Sequence, residues 1–87
     1  MLKLKVQNKK FNDSTEIDKF VLIPKKYWEN FEEGVNKITI DGTKTKVRIY
    51  SIPCVCIGSP HEHKIIDLRP LWARLNLENK EEVEINR

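Results

Sequence analysis

Apolar and charged residues alternate along much of this chain with the two-residue period of a half-buried strand. Leu2-Lys3-Leu4-Lys5-Val6 opens the pattern and Glu82-Val83-Glu84-Ile85 closes it. Phe20-Val21-Leu22-Ile23 is a continuous apolar run, which predicts a strand covered on both faces or nearly so. Pro24 ends that run, because proline cannot donate to a ladder but suits the first turn of a helix. The residues that follow place Tyr27 four positions before Phe31 and Trp28 three before it, so a short helix with an aromatic face is predicted. Gly34 stands where a left-handed cap would stop it. Asn8 to Ser14 is polar without a period and reads as a loop. Beyond Pro53, Cys54-Val55-Cys56-Ile57 and Lys64-Ile65-Ile66-Asp67-Leu68 predict two further strands. Pro70 starts a second short helix, Leu71-Trp72-Ala73-Arg74-Leu75, with Leu77 as the next apolar anchor.

The strongest local signal is Lys37-Ile38-Thr39-Ile40, Asp41-Gly42, Thr43-Lys44-Thr45-Lys46-Val47-Arg48-Ile49. Asp-Gly favours a type I′ hairpin turn, which needs positive φ at both central residues. Pairing across it puts Ile38, Ile40, Thr43, Thr45, Val47 and Ile49 on one face. Lys37, Thr39, Asp41, Lys44, Lys46, Arg48 and Tyr50 fall on the other. One face is core and the other is mostly basic.

The two halves match in order. Lys3-Leu4-Lys5-Val6 corresponds to Lys46-Val47-Arg48-Ile49, Trp28 to Trp72, Phe31 to Leu75, and Ile38-Thr39-Ile40 to Val83-Glu84-Ile85. Each half, about 1–43 and 44–87, then reads strand, strand, short helix, strand. One such half exposes an apolar sheet face it cannot cover alone. Two halves wrapped together close a barrel and remove the free sheet edges. The expectation is a mainly β single domain: a six-stranded closed barrel of two pseudo-symmetric ββαβ halves with two short helices at its ends.

Leu22-Ile23-Pro24-Lys25-Lys26-Tyr27-Trp28 followed by Ile38-Thr39-Ile40 resembles the motif of AbrB-like swapped-hairpin transcription regulators and MazE-type antitoxins. Residues 64–87 resemble it a second time, and the layout is similar to double-psi barrels that carry both units in one chain. The usual Gly-Asp before the last strand is replaced here by Glu33-Gly34-Val35-Asn36 and by Asn79-Lys80-Glu81-Glu82, and the second unit lacks the Pro-Lys pair. The resemblance implies a small DNA-binding regulator or antitoxin-like protein with basic loop residues as contacts. It also leaves a monomer or a swapped homodimer as the assembly.

Charge sharpens this picture. The formal charge is +3, yet residues 1–50 carry eleven Lys/Arg against seven Asp/Glu while residues 51–87 carry five against six. Lys25, Lys26, Lys37, Lys44, Lys46 and Arg48 are the candidate phosphate contacts, with Lys3 and Lys5 expected beside the hairpin and Tyr50 at its edge as a stacking group. The alternative is a solvated lysine-rich face that guards the sheet against mispairing. No apolar run reaches the ~20 residues of a membrane helix, and no leader pattern is visible at Met1. A cytoplasmic protein with reduced thiols and no membrane partner is expected.

Little in the chain points to catalysis. Three glycines give no phosphate loop of the usual spacing, and there is no nucleophile elbow. The chemistry worth weighing is in Cys54-Val55-Cys56-Ile57-Gly58-Ser59-Pro60-His61-Glu62-His63. A hairpin turning over Gly58 to His61 sets Cys56 opposite His63 and Cys54 opposite Ile65. Cys54, Cys56, His61 and His63 would then share a face, and two thiolates with two imidazoles are a tetrahedral zinc set. Two positions along a strand are nearly 7 Å apart, wider than the zinc geometry wants. The other reading makes the cysteines small buried hydrophobes and the histidines turn residues. The expected function is a non-catalytic nucleic-acid-binding module without a cofactor. A protein-interaction or zinc-binding barrel is the alternative.

Overall fold

The computed structural model describes residues 2–11, 16–55 and 60–86, with the backbone alone at Cys54, Val55, Pro60 and His61. Six strands form it: β1 (Leu2–Gln7), β2 (Phe20–Ile23), β3 (Gly34–Ile40), β4 (Thr43–Val55), β5 (Pro60–Asp67) and β6 (Glu82–Asn86). They close into a barrel in the order β1-β2-β5-β4-β3-β6, and every neighbouring pair is antiparallel. One chain therefore completes the sheet.

Strand alternation decides what fills the barrel. Leu4, Val6, Val21, Ile23, Ile38, Ile40, Val47, Ile49, Ile66, Val83 and Ile85 are buried in one cluster, and Phe31, Leu68, Leu71 and Leu77 join them from the connections. Most are β-branched, stiff side chains that suit a pleated inner wall. The inward residues of the β3–β4 hairpin are those the alternation predicts, apart from Thr43, which is exposed beside the turn. Asp41 has φ 49° and Gly42 φ 85°, as a type I′ turn requires. The Asp41 carboxylate then ties the turn to the end of the chain. Its Oδ1 accepts the Glu84 backbone N–H at 2.8 Å and its Oδ2 accepts from Lys80 Nζ at 2.6 Å.

Three expectations change. The two predicted helices are 3-10 segments, Lys25–Asn30 and Arg69–Leu71. In the first, Tyr27 N–H donates to Pro24 C=O at 2.9 Å and Phe31 N–H to Trp28 C=O at 3.1 Å. A 3-10 turn rises about 2.0 Å per residue against about 1.5 Å for an α-helix, so a short connection spans more of the barrel end. The first segment ends at Phe31 in extended conformation, and Gly34, with φ 103°, starts β3 rather than capping a helix. The second correction is that residues 43–55 make one strand, which runs through Pro53. β3 stops at Gly34, opposite Ile49, so at Pro53 there is no β3 neighbour to miss its N–H.

The third concerns the loop before β2, which is not merely polar. Phe11 and Ile17 from that loop cover Phe20, Tyr50, Ile52 and Ile65 on the outside of the barrel. The Phe11 and Phe20 rings meet edge-on at 5.5 Å between centroids. Arg69 pins the same loop. It forks onto the buried Asp67 carboxylate at 2.9 to 3.2 Å through Nε and Nη2 and reaches Glu16 C=O at 3.4 Å. Hydrogen bonding to Asp67 raises the Arg69 pKa above its ordinary value.

Candidate nucleic-acid interface

The outer face of the β3–β4 hairpin gathers four of the six predicted phosphate contacts. β3 and β4 pair from Gly34↔Ile49 to Ile40↔Thr43, which sets Lys37 directly opposite Lys46, Thr39 opposite Lys44 and Val35 opposite Arg48. Lys37, Lys44, Lys46 and Arg48 are all exposed, and none makes an ion pair among the described residues. Opposed residues in such a ladder have β-carbons about 5 Å apart, and alternate residues along a strand lie about 7 Å apart. Lys37 and Lys46 therefore stand side by side, and the patch runs about 14 Å along β4 from Lys44 to Arg48. Lys37, Thr39, Lys44 and Lys46 border a shallow cleft of about 460 Å³.

Lys3 and Lys5 do not extend this patch. β6 lies between β1 and β3 in the barrel. Its Glu84 stands opposite Lys3 and its Glu82 opposite Lys5. The ladder on that side is balanced in charge, while the β3–β4 ladder is not. The segment before β6 is also where Lys80 spends its charge on Asp41. There the carboxyl is under opposed influences. Partial burial pulls its pKa up, but the hydrogen bonds from Lys80 and the Glu84 amide and the charge of Lys80 outweigh it and hold the carboxyl below its usual range.

Tyr50 does not stand free at the edge either. It is half-buried against the Phe11, Ile17 and Phe20 cluster, so the basic face presents no stacking ring from that position. Lys25 and Lys26 sit elsewhere, exposed on the first 3-10 segment. Lys26 Nζ lies 5.1 Å from the centroid of its neighbour Tyr27. Lys25 borders a second cleft, with Leu22, Pro24, Trp28, Glu62 and His63. The alternation could have shown one feature that composition hides. Val35 is in phase with Lys37 and out of phase with Ile38, and it is 62% exposed beside Arg48.

The predicted zinc set is not assembled in the predicted register. Cys54 is the register partner of His61, and Ile52, not Cys56, is the partner of His63. The same ladder sets Ile49 opposite Ile66 and Tyr50 opposite Ile65, deep in the barrel wall where burial specifies register strongly. The His63 ring meets Phe11 edge-on at 5.5 Å. Cys56 lies outside the described residues, as do the side chains of Cys54 and His61. No group of three or more potential metal ligands occurs among the described residues.

The fold defines a small, closed, antiparallel β-barrel with a basic hairpin face. Neither the family models, the curated proteins nor the solved structures contain a match to this chain. Of the AbrB-like expectation, the barrel is the part that the structure carries. No helix among the described residues is long and apolar enough to cross a membrane.

Proposed function

We propose that this protein is a non-catalytic nucleic-acid-binding module that holds phosphates on the outer face of β3 and β4. The observation that supports it is a contrast within one barrel. On the β1–β6 ladder each lysine has a glutamate opposite; on the β3–β4 ladder Lys37 has Lys46 opposite, with Lys44 and Arg48 close by. Like charges opposite one another oppose folding. A polyanion relieves that repulsion and gains by releasing its own counterions. Without a stacking ring on this face, recognition runs through the backbone of the nucleic acid, with little dependence on base sequence. The test is fluorescence anisotropy with labelled duplex DNA, single-stranded DNA and RNA at low and moderate salt. Binding that weakens steeply with salt and is lost on charge reversal at Lys46 supports the reading. Binding to none of the three at low salt overturns it.

The same reading takes the single chain as the working unit and treats its halves as copies. Val21 pairs with Ile66 and Ile40 with Ile85, each pair 45 positions apart, with Phe20↔Asp67 and Leu22↔Ile65 flanking the first. Lys64 Nζ lies 5.6 Å from the Trp28 ring centroid and Lys19 Nζ 5.5 Å from that of Trp72, and these lysines are also 45 positions apart. Each half thus lends a cation to the tryptophan of the other. A two-fold through the two paired positions accounts for both observations.

A further inference from the structure

A cleft of about 600 Å³ opens where the end of β2, the first 3-10 segment and the outer part of β5 meet, away from the basic hairpin. Its volume falls in the range of about 300–1,000 Å³ typical of small-ligand sites. Its wall is apolar. Leu22, 37% exposed, is one of two large apolar side chains left open to solvent among the described residues, and Pro24 continues the surface. Trp28 is half-buried with its indole N–H already donated to Ile23 C=O at 2.7 Å, so the ring is held in place and the part of it that borders the cleft is apolar. Lys25, Glu62 and His63 border this wall, and Lys64 stands beside it on the Trp28 ring. Lys25 is an exposed cation with no ion pair among the described residues. Lys64, next to His63 on β5, holds its ammonium over the Trp28 ring. Glu62 is an exposed carboxylate, an acceptor only when ionised.

We infer that this cleft binds a nucleotide, with the base against Leu22, Pro24 and the edge of Trp28, the phosphate on Lys25 and Lys64, and the base edge on Glu62. A planar apolar body, an anionic end and hydrogen-bond donors on one edge are what these three surfaces match. The acceptor-only Glu62 favours guanine, whose edge offers two adjacent N–H donors, over uracil, which offers one between two carbonyls. The site is separate from the phosphate face of the hairpin and stands or falls without it. The nucleotide is either free or the phosphorylated end of a strand, since both present the same chemistry.

Backbone amide NMR tests this on the whole chain with GMP, UMP, guanosine, inorganic phosphate and a 5′-phosphorylated single strand beginning with G. Saturable shifts at residues 22–28 and 62–64 are expected with GMP, and weaker ones with UMP and guanosine. Lys25→Ala is expected to weaken GMP about tenfold, the loss of one charge-assisted contact. Glu62→Gln is expected to erase the preference for GMP over UMP. Both side chains are exposed, and an unchanged amide spectrum shows that each variant is folded. Saturation by the strand at lower concentration than GMP assigns the site to strand ends; the reverse assigns it to the free nucleotide. Shifts confined to residues 37–48 overturn the inference and leave the basic face standing. The absence of any saturable shift with millimolar GMP overturns it as well.

Discussion

Replacing Lys46 by Glu is expected to move stability and nucleic-acid affinity in opposite directions. Lys46 faces Lys37 across the β3–β4 ladder. Directly opposed like charges are unfavourable, and opposed unlike charges favourable, by roughly 0.2–1 kcal/mol relative to alanine. Lys46→Glu turns the first case into the second, so it stabilises the barrel by roughly 0.4–2 kcal/mol at low salt, the repulsion removed plus the attraction gained, and by less as screening rises. The same substitution removes one of the four cations on the patch. Each phosphate neutralised contributes about −0.9 to the slope of log affinity against log salt on duplex DNA, so four give about −3.6. Affinity then falls about 150-fold between about 50 and about 200 mM salt. Lys37→Ala combined with Lys46→Ala leaves two cations, a slope of about −1.8 and a loss of about 12-fold over the same range. Urea denaturation measures the stability and anisotropy over a salt series measures the slope. Lys3→Ala with Lys5→Ala is the control, because those lysines face Glu84 and Glu82. Their removal is expected to leave the slope near −3.6. A wild-type slope shallower than about −1, or an equal fall in slope from the control pair, refutes the phosphate face. Loss of stability in Lys46→Glu at low salt refutes the claim that the ladder is electrostatically frustrated.

Other perturbations probe the fold. Ile40, 1% exposed, meets Ile85 inside the barrel, and Ile40→Ala is expected to cost about 2–5 kcal/mol by chemical denaturation. That is a large share of the roughly 4–13 kcal/mol that a domain of this length holds, and a loss under about 1 kcal/mol would mean that the interior does not pack around it. Asp41→Asn keeps the left-handed backbone and an acceptor for the Glu84 amide while removing the charge that meets Lys80. The folded carboxyl titrates below its unfolded value, so its contribution is complete above about pH 4 and disappears as pH falls through the folded pKa. The variant is therefore expected to be less stable by under about 1 kcal/mol at neutral pH and to converge with wild type in acid. A gap that survives unchanged to about pH 2 would contradict this. Gly42→Ala meets open space at φ 85°, so its cost is backbone strain alone, about 1–2 kcal/mol by thermal melting. Gly42→Asn is expected to cost less, and equal losses from both would point to a different cause.

Much of this protein was legible as local pattern, and the rest was settled by distant neighbours. The alternation in Leu2–Val6, Ile38–Ile40, Val47–Ile49 and Val83–Ile85 named most of the barrel lining, and Asp41-Gly42 named the turn, because side-chain direction and turn type are properties of a few consecutive residues. The need for two halves to share one interior pointed to a closed six-stranded barrel. Strand order escaped that reasoning. Nothing near Lys3 and Lys5 in the chain says that Glu84 and Glu82 will stand opposite them, about 80 residues away. The register of Cys54 and His61 escaped it for a like reason, since it belongs to a ladder that runs on to Ile49 and Ile66 inside the barrel. Tyr50 looked like an exposed ring until a loop without periodicity folded Phe11 and Ile17 over it. The sequence by itself determined most of the residues that face inward and the reversal at Asp41-Gly42. The tertiary structure alone decided which charges stand unopposed, because charge balance depends on the strand next door and that strand comes from far along the chain.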